Sequence, residues 1–340
     1  MSVRVGVIGA GSMGAGHARM LNGQIAGCEV AAVTDADAGR ARGLGDQLRG
    51  ARVLPDGVSL VRDARVDAVV VASPDPTHYP LVMECLRAGK PVLCEKPLGT
   101  TSAECLEVVE AEIKLGRRLV QVGFMRRFDP GYEAMKAAVD DRRLGAPLFL
   151  HCIHRNAVAA SYTTSDMIIL NTAVHELDAA RFLLGEEFVD ATVRAGRATS
   201  AAPDRRPQFL VLETASGVIV DIEAFVDAQY GYDVRAELVC EKGAMSLGQT
   251  SPVHSYASGS SGHALHPDWI GRFDDAYRRE LQAWVNSIAT PGKPVGASAW
   301  DGYASTKTAE KCLESYRSQR PVRVDVGGRP SFYDGAQAMS

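Results

Sequence analysis

The sequence predicts an α/β protein in two parts: a parallel sheet wrapped by helices, then an α+β part built on a large, mostly antiparallel sheet. Three observations predict it. Short, near-continuously apolar strands alternate with helical stretches over the first third, the pattern of a parallel sheet covered on both faces. The first strand runs directly into a glycine-rich turn. After about Gly123 the rhythm changes to long strands that follow one another, which suits antiparallel pairing with helices on one face.

In the first part, strands are expected at Val3–Ile8, Val30–Thr34, Ala68–Ala72, Pro91–Cys94 and Leu119–Val122. Helices are expected at about Gly14–Leu21, Ala38–Leu48, Thr77–Ala88 and Ser102–Leu115. The run Val66-Asp-Ala-Val-Val-Val-Ala72 is the clearest buried strand. In the second part, a helix at Gly131–Val139 leads to a strand at Leu148–His154 and a helix at about Met167–Leu184. Strands follow at Phe188–Ala195, Gln208–Thr214, Val218–Val226, Val234–Cys240 and Ala244–Leu247, with a hairpin turn across Glu213–Val218. Ser251–Pro267, rich in Ser, Gly, His and Pro, reads as a loop. Two helices, about Arg272–Ile288 and Trp300–Ser318, flank a break at Pro291-Gly-Lys-Pro294. Residues beyond about Gly327 read as a tail in which Phe332-Tyr333 has the character of a docking pair. The expected division is 1–123 and 124–298, with the helix at about 299–318 returning to the first part.

A chain of 340 residues is long enough for two cores. Its 46% hydrophobic and 23% charged content is that of a globular protein. A formal net charge of -4, with no long basic run, gives no electrostatic reason to expect nucleic acid or an anionic membrane as partner. No stretch approaches the ~20 apolar residues of a bilayer span, and no secretory leader pattern stands at the N-terminus. The seven cysteines form no Cys-x-x-Cys pair, so neither a zinc cage nor a disulfide framework is expected. A reducing cytoplasm is the expected compartment.

Gly9-Ala10-Gly11-Ser12-Met13-Gly14 is a G-x-G-x-x-G turn between a strand and a helix. Gly9 permits the tight turn, Gly11 clears space for a pyrophosphate, and Gly14 lets helix and strand pack closely. The phosphates would meet free N–H groups and the positive end of the helix dipole. Asp35 ends the second strand, ~20 residues on, where its carboxylate can accept both adenosine ribose hydroxyls. These are the marks of a Rossmann domain, and Asp35 also repels a 2′-phosphate, so NAD is expected over NADP. Arg40, close in sequence, is the residue that argues the other way.

Ser73-Pro-Asp-Pro-Thr-His78 follows a parallel strand, and such loops face the ligand crevice. Ser73 and His78 are therefore candidate cofactor contacts. Glu95-Lys96-Pro97 follows the next strand. A lysine there would lie beside the nicotinamide and could handle a hydroxyl proton when partly desolvated. On the residues alone, an ordinary surface lysine is the better reading.

The glycine turn, Asp35, Cys94-Glu-Lys-Pro-Leu98 and Gly123-Phe-Met-Arg-Arg-Phe128 together resemble the glucose–fructose oxidoreductase / inositol dehydrogenase family. The resemblance continues through His151–Asn156, Ser161–Thr164, Val174–Asp178, Tyr230–Asp233, Arg272–Tyr277, Ala299–Tyr303 and Pro330–Tyr333. These later segments look like the bacterial inositol 2-dehydrogenases of that family. The resemblance implies a Rossmann domain followed by an α+β domain with an open-faced sheet, an active site between them, and homo-oligomers, commonly tetramers, paired through that face. It implies NAD-dependent oxidation of a cyclic polyol, myo-inositol to 2-keto-myo-inositol as first choice. Another inositol isomer, an aminocyclitol or a glucoside is the runner-up, and a non-catalytic NAD- or ligand-binding regulator is the reading from another class.

By the same resemblance, Lys96 and His175 are the catalytic pair. Arg127, Asn156, Asn171, Thr172 and Tyr232 are substrate contacts, and Gly9, Gly11, Ser12, Met13, Gly14, Asp35, Ser73, His78, Glu95 and Lys96 form the cofactor site. The family pattern sets an Asp four residues before the histidine, on one helical face. Here Asn171 stands in that place. An amide supplies no charge to favour the imidazolium form of His175, though it can still donate to and accept from hydroxyls. Unaided by the resemblance, His175 reads better as a satisfied core histidine or one ion-paired with Asp178 at the i+3 position. No metal is expected, because His151 and His154 lie an odd number of strand positions apart and point to opposite faces.

Overall fold

A computed structural model describes residues 2–248, 253–290 and 294–336. The chain forms two compact units. The first contains Met1–Met125, Asp275–Thr306 and Gly327–Ser340, and the second Arg126–Asp274 and Lys307–Val326.

The first unit is a six-stranded, all-parallel sheet: β1 (Val3–Ile8), β2 (Cys28–Thr34), β3 (Arg52–Val53), β4 (Ala68–Val71), β5 (Val92–Glu95) and β6 (Val120–Gly123). Their order is β3-β2-β1-β4-β5-β6. The helices are α1 (Ser12–Gly23), α2 (Ala38–Gly45), α3 (Gly57–Arg62), α4 (His78–Arg87) and α5 (Ser102–Leu115). Valines suit these strands because branched side chains pack well on a pleated surface buried on both sides. Asp37 and Asp56 cap α2 and α3, and Thr101 with Glu104 makes a capping box on α5. The short pair β3 and α3 had no signal of its own in the sequence, since two strand residues and six helical ones show no period.

Val5, Val7, Val33, Val70 and Leu93 pack with Leu21, and with Leu281, Trp284 and Val285 from α9 (Trp269–Ala289). Residues 275–298, expected with the second part, thus belong to the core of the first. α9 departs from helical geometry at Phe273, just before the change of unit. The last long helix, α10 (Ala299–Ser318), also crosses the division, after Thr306. Its Gly302 allows close approach, since a Cβ there would stand 3.0 Å from Leu98. The expected tail is instead ordered from Ser331 to Ala336 as a 3-10 turn. Tyr333 is fully buried there and donates to the buried Glu112 carboxylate at 2.9 Å.

The second unit is a seven-stranded sheet of β7 (Pro147–Arg155), β8 (Phe188–Ala195), β9 (Gln208–Thr214), β10 (Ile219–Phe225), β11 (Asp233–Cys240), β12 (Gly243–Ser246) and β15 (Val322–Arg323). Its order is β12-β11-β7-β10-β9-β8-β15. All pairs are antiparallel except β10 with β7, which run parallel. The helical crossover between β7 and β8 makes that exception possible, because only a long connection can return a strand parallel to its neighbour. Along β10, Val220, Ile222 and Ala224 are buried while Ile219, Asp221, Glu223 and Phe225 are half-buried on the other face.

Two expectations on this unit need correction. Part of 251–267 is not a loop but a hairpin, β13 (His254–Ala257) with β14 (Ser260–His263); Ser251 and Pro252 lie outside the described residues, as do Pro291-Gly-Lys293. The helix expected over Met167–Leu184 is three pieces: α7 (Ser165–Met167), a π-helix at Ile168–Ala173, and α8 (Val174–Leu184), with α6 (Pro130–Asp140) earlier in the unit. Hydrophobic spacing cannot announce a π turn, which differs from α only in closing its hydrogen bonds one residue further on.

Candidate active site

The glycine turn has the geometry its three glycines were expected to serve. Gly9 has φ +103°, and a Cβ there would lie 2.4 Å from the Ala72 carbonyl oxygen. At Gly14 a Cβ would lie 1.9 Å from the Gly9 oxygen, so only glycine allows α1 to start so close to β1. Gly11 meets nothing within 4 Å: the space beside it is open. Gly11 caps α1 without a side-chain hydrogen bond, and no acidic residue stands in its first turn, which includes Ser12 and Met13. The orphan N–H groups of this helix end therefore remain available to an anion.

Asp35 closes this site at the end of β2. Its carboxylate accepts from the Ala10 and Asp37 amides at 2.7 and 2.8 Å, so the acid is held in place by backbone. Arg40 reaches it at 3.2 Å and lies close to Asp37 as well. The chain's own carboxylates occupy the arginine that a 2′-phosphate would need.

Glu95, Lys96 and His78 have different tasks. Glu95 is buried and its carboxylate lies 2.7 Å from His17 Nε2 on α1. Burial pushes its pKa up, but the His17 hydrogen bond and the nearby His17, Lys96 and His78 together outweigh burial and hold the carboxyl below its ordinary value. A side chain at Gly123 would meet Glu95 at 3.0 Å, so the glycine of β6 makes room for it. Glu95 therefore anchors the end of β5, directly before half-buried Lys96. His78 is likewise buried. Its Nδ1 lies 2.7 Å from the Pro97 oxygen and its Nε2 2.8 Å from the Ser73 oxygen, so it ties the Ser73 loop to the Glu95-Lys96-Pro97 segment. Ser73 shares its hydroxyl with Thr77 at 2.5 Å. His17 was missed in the sequence; a lone histidine on an apolar helix face was the only trace of it.

In the second unit, Asn156, Thr172 and Tyr232 line one pocket of 240 Å³. Their chain positions differ widely, and the backbone brings them together. Asn156 follows β7, where its amide donates to the Phe225 oxygen at 3.0 Å. Thr172 sits on the π-helix. The Tyr232 amide donates to the His266 oxygen at 2.8 Å. Tyr232 is buried, which pushes its phenol up to about 12, so it is a neutral hydroxyl at physiological pH. Asp268 and Trp269 also line this pocket, and nothing in their spacing marked them.

Arg127 is placed elsewhere. Its guanidinium makes a bidentate pair with Asp178 at 2.9 and 2.6 Å and lies 5.3 Å from the Phe182 ring centroid. Asp178 is thereby engaged by Arg127, with Arg181 at 3.9 Å. Asn171 lies in the π-helix and half-buried His175 in the first turn of α8. The four-residue step between them spans the junction of the π-helix with α8, and both side chains are half-buried. The His175 ring stands 6.2 Å from that of His154. His154 is buried while His151 is exposed and paired with Asp221. Among the described residues no group of three or more His, Cys, Asp or Glu side chains is arranged to hold a metal.

A parallel sheet opening on a glycine-rich turn at a helix N-terminus, with an acid and a lysine at the strand ends, is the arrangement of a dinucleotide-dependent oxidoreductase. The chain belongs to the oxidoreductase family with an NAD-binding Rossmann fold, which matches residues 3–124, and the family's C-terminal alpha/beta domain matches residues 136–324. It is 52% identical over 336 residues to inositol 2-dehydrogenase 1 of Saccharopolyspora erythraea, covering 98% of this chain and 99% of that protein. It is 44% identical to an inositol 2-dehydrogenase of Pseudomonas fluorescens, over 98% of this chain and all of that one. Among solved structures, the myo-inositol dehydrogenase of Lactobacillus casei, in complex with NAD(H) and myo-inositol, superposes with a TM-score of 0.94 at 36% identity, covering 98% of this chain and 100% of that one.

The Glu95–His17 pair gives a pH prediction. The folded pKa of Glu95 lies below the unfolded carboxyl value of about 4.3. Its contribution is therefore complete above that pH and is lost as pH falls through the folded value. Glu95→Gln should lower the thermal midpoint at pH 7, by a loss of about 1–3 kcal/mol, with the gap to the native chain steady above about pH 4.3 and closing only below it. Midpoints measured from about pH 2 to 8 check this; a gap that does not narrow below about pH 4 contradicts it.

Proposed function

We propose that this chain oxidises a cyclic polyol, with myo-inositol as first choice and 2-keto-myo-inositol as product. The observation that carries the proposal is 52% identity to an inositol 2-dehydrogenase over 98% of the chain. The 240 Å³ pocket supports it, because Asn156, Thr172 and Tyr232 bring it an amide and two hydroxyls. Such groups donate and accept, so each missing or inverted ring hydroxyl leaves a buried partner unpaired.

NAD, when bound, accepts hydride from the carbinol carbon. The chain's residues do the rest. The Gly9–Gly14 turn and Asp35 hold the pyrophosphate and ribose. Lys96 and His175 take the proton that leaves the hydroxyl, which balances the reaction as ketone, NADH and a proton. Asn171 orients hydroxyls without supplying charge. That same residue favours a second reading, in which the substrate is an aminocyclitol, a glucoside or another inositol isomer. Steady-state NAD reduction with myo-inositol, scyllo-inositol, glucose and an aminocyclitol decides between them. Turnover is expected to be greatest with an inositol and to fall at least about 100-fold in Lys96→Ala; no NAD reduction with any inositol would sink the first choice.

Asn171→Asp tests the missing charge. A carboxylate beside His175 would raise its basicity, so the variant should show a several-fold higher kcat/KM near neutral pH. An unchanged or lower value across the pH range counts against the role given to Asn171.

The chain is further proposed to form a homo-oligomer, a tetramer or dimer, through the open face of the second sheet, in a reducing cytoplasm. On that face Phe149, Phe209 and Val211 are exposed around the His151–Asp221 and Arg155–Glu223 pairs. Light scattering should give a multiple of the 36.3 kDa chain, reduced in size by Phe209→Glu. A native chain that is monomeric at micromolar concentration overturns this assembly.

A further inference from the structure

A buried charged cluster stands behind Tyr232 and has no part in the hydride and proton steps. Glu176 follows His175 on α8 and is 1% exposed. Its carboxylate accepts from Arg126 Nη1 and lies 3.0 Å from His154 Nδ1. His154 is 3% exposed, and its Nε2 lies 3.3 Å from the Tyr232 hydroxyl. Arg126 is enclosed by Tyr132 and Phe273, whose ring centroids are 5.9 and 5.6 Å from its guanidinium carbon. Taking two ions out of water costs several kcal/mol each, and apolar residues of similar volume often serve stability as well. Stability alone therefore does not explain this pair.

The hydrogen-bond inventory suggests what the pair does. A carboxylate only accepts. Burial pushes the Glu176 carboxyl up, but Arg126 and His154 together hold it below its ordinary pKa, so it is ionised. If His154 Nδ1 carried no hydrogen, its lone pair would face that carboxylate at 3.0 Å in a dry setting. Arg126 Nη2 also faces Nδ1, at 3.2 Å, but it is the longer contact and Arg126 keeps its direct bond to Glu176. The hydrogen therefore belongs on Nδ1. Nε2 is then an acceptor, and the Tyr232 hydrogen is committed to it. The phenol oxygen, which also accepts from Arg126, is left with one lone pair to offer the pocket that Tyr232 lines.

We propose that Glu176, anchored by Arg126, is a positioning residue that sets the His154 tautomer and so makes Tyr232 a hydrogen-bond acceptor toward the polyol. The role rests on the polyol reading above. It goes further in stating which partner of that hydrogen bond gives the proton: the substrate hydroxyl donates. An ether or keto oxygen at that ring position would face that lone pair and be rejected.

Two readouts test it. The first needs no substrate: long-range 1H–15N spectra of histidine-labelled native protein should identify His154 as the Nδ1–H form. Glu176→Gln, and the charge-free pair Arg126→Met/Glu176→Gln in case a lone buried arginine prevents folding, should shift it toward Nε2–H. The second is a double-mutant cycle on kcat/KM for myo-inositol. The charge-free pair should lower kcat/KM about 10–100-fold with Kd for NAD unchanged, yet less than about threefold in a Tyr232→Phe background, where the route is already cut. An Nε2–H form in the native protein, or losses that multiply fully in the cycle, overturns the inference. Failure of the native enzyme to turn over any inositol would instead strike the functional reading, and the tautomer would still decide this one.

Discussion

The first unit depends on one buried contact, the 2.7 Å approach of His17 on α1 to Glu95 at the end of β5. α1 is the helix whose N-terminus faces the phosphate turn, and Glu95 directly precedes Lys96. One hydrogen bond thus joins the element that would hold the cofactor to the residue proposed to handle the proton. Burial makes the contact count: water does not compete for the carboxylate, so its partner must come from the chain. Gly123 and Gly14 serve the same arrangement by omission, since a side chain at either position would enter space that Glu95 or the Gly9 carbonyl occupies.

The second unit solves a similar problem with more charges. Arg126 and Arg127 are sequence neighbours but serve different carboxylates, Glu176 and Asp178, both on α8. That helix is therefore clamped at its first two turns, directly after the π-helix that carries Asn171 and Thr172. A π turn is an energetically poorer way to close a helix, and such turns occur frequently at functional sites. Here it carries Thr172, which lines the pocket, and Asn171. The clamped α8 supplies the rigid base for that irregularity.

Much of the fold was legible because it is local. The strand Val3–Ile8 and the helix Ser102–Leu115 have in the structure the bounds that apolar runs and caps predicted. The glycine turn was legible for a stronger reason: each glycine answers a separate steric demand, and few other contexts make all three together. Of the candidate site, Asn156, Thr172 and Tyr232 do meet in one pocket, although only the family resemblance could have chosen them. The protein partners of His78 and Arg127 were not legible, since a side chain's partner 19 or 51 positions away leaves no mark in its own neighbourhood. His154, Glu176 and His17 were missed for the same reason.

The sequence by itself determined the parallel first sheet, the NAD-type turn with Asp35 and the change of architecture after Gly123, all of which follow from periodicity and from steric rules acting over a few residues. Only the tertiary structure decided the parallel pairing of β7 with β10, the π-helix, the transfer of residues 275–298 to the first core and the partners of each buried charge. Those outcomes depend on which groups meet after long chain separations, and there the cost of burying a polar atom unpaired, rather than local preference, selects the arrangement.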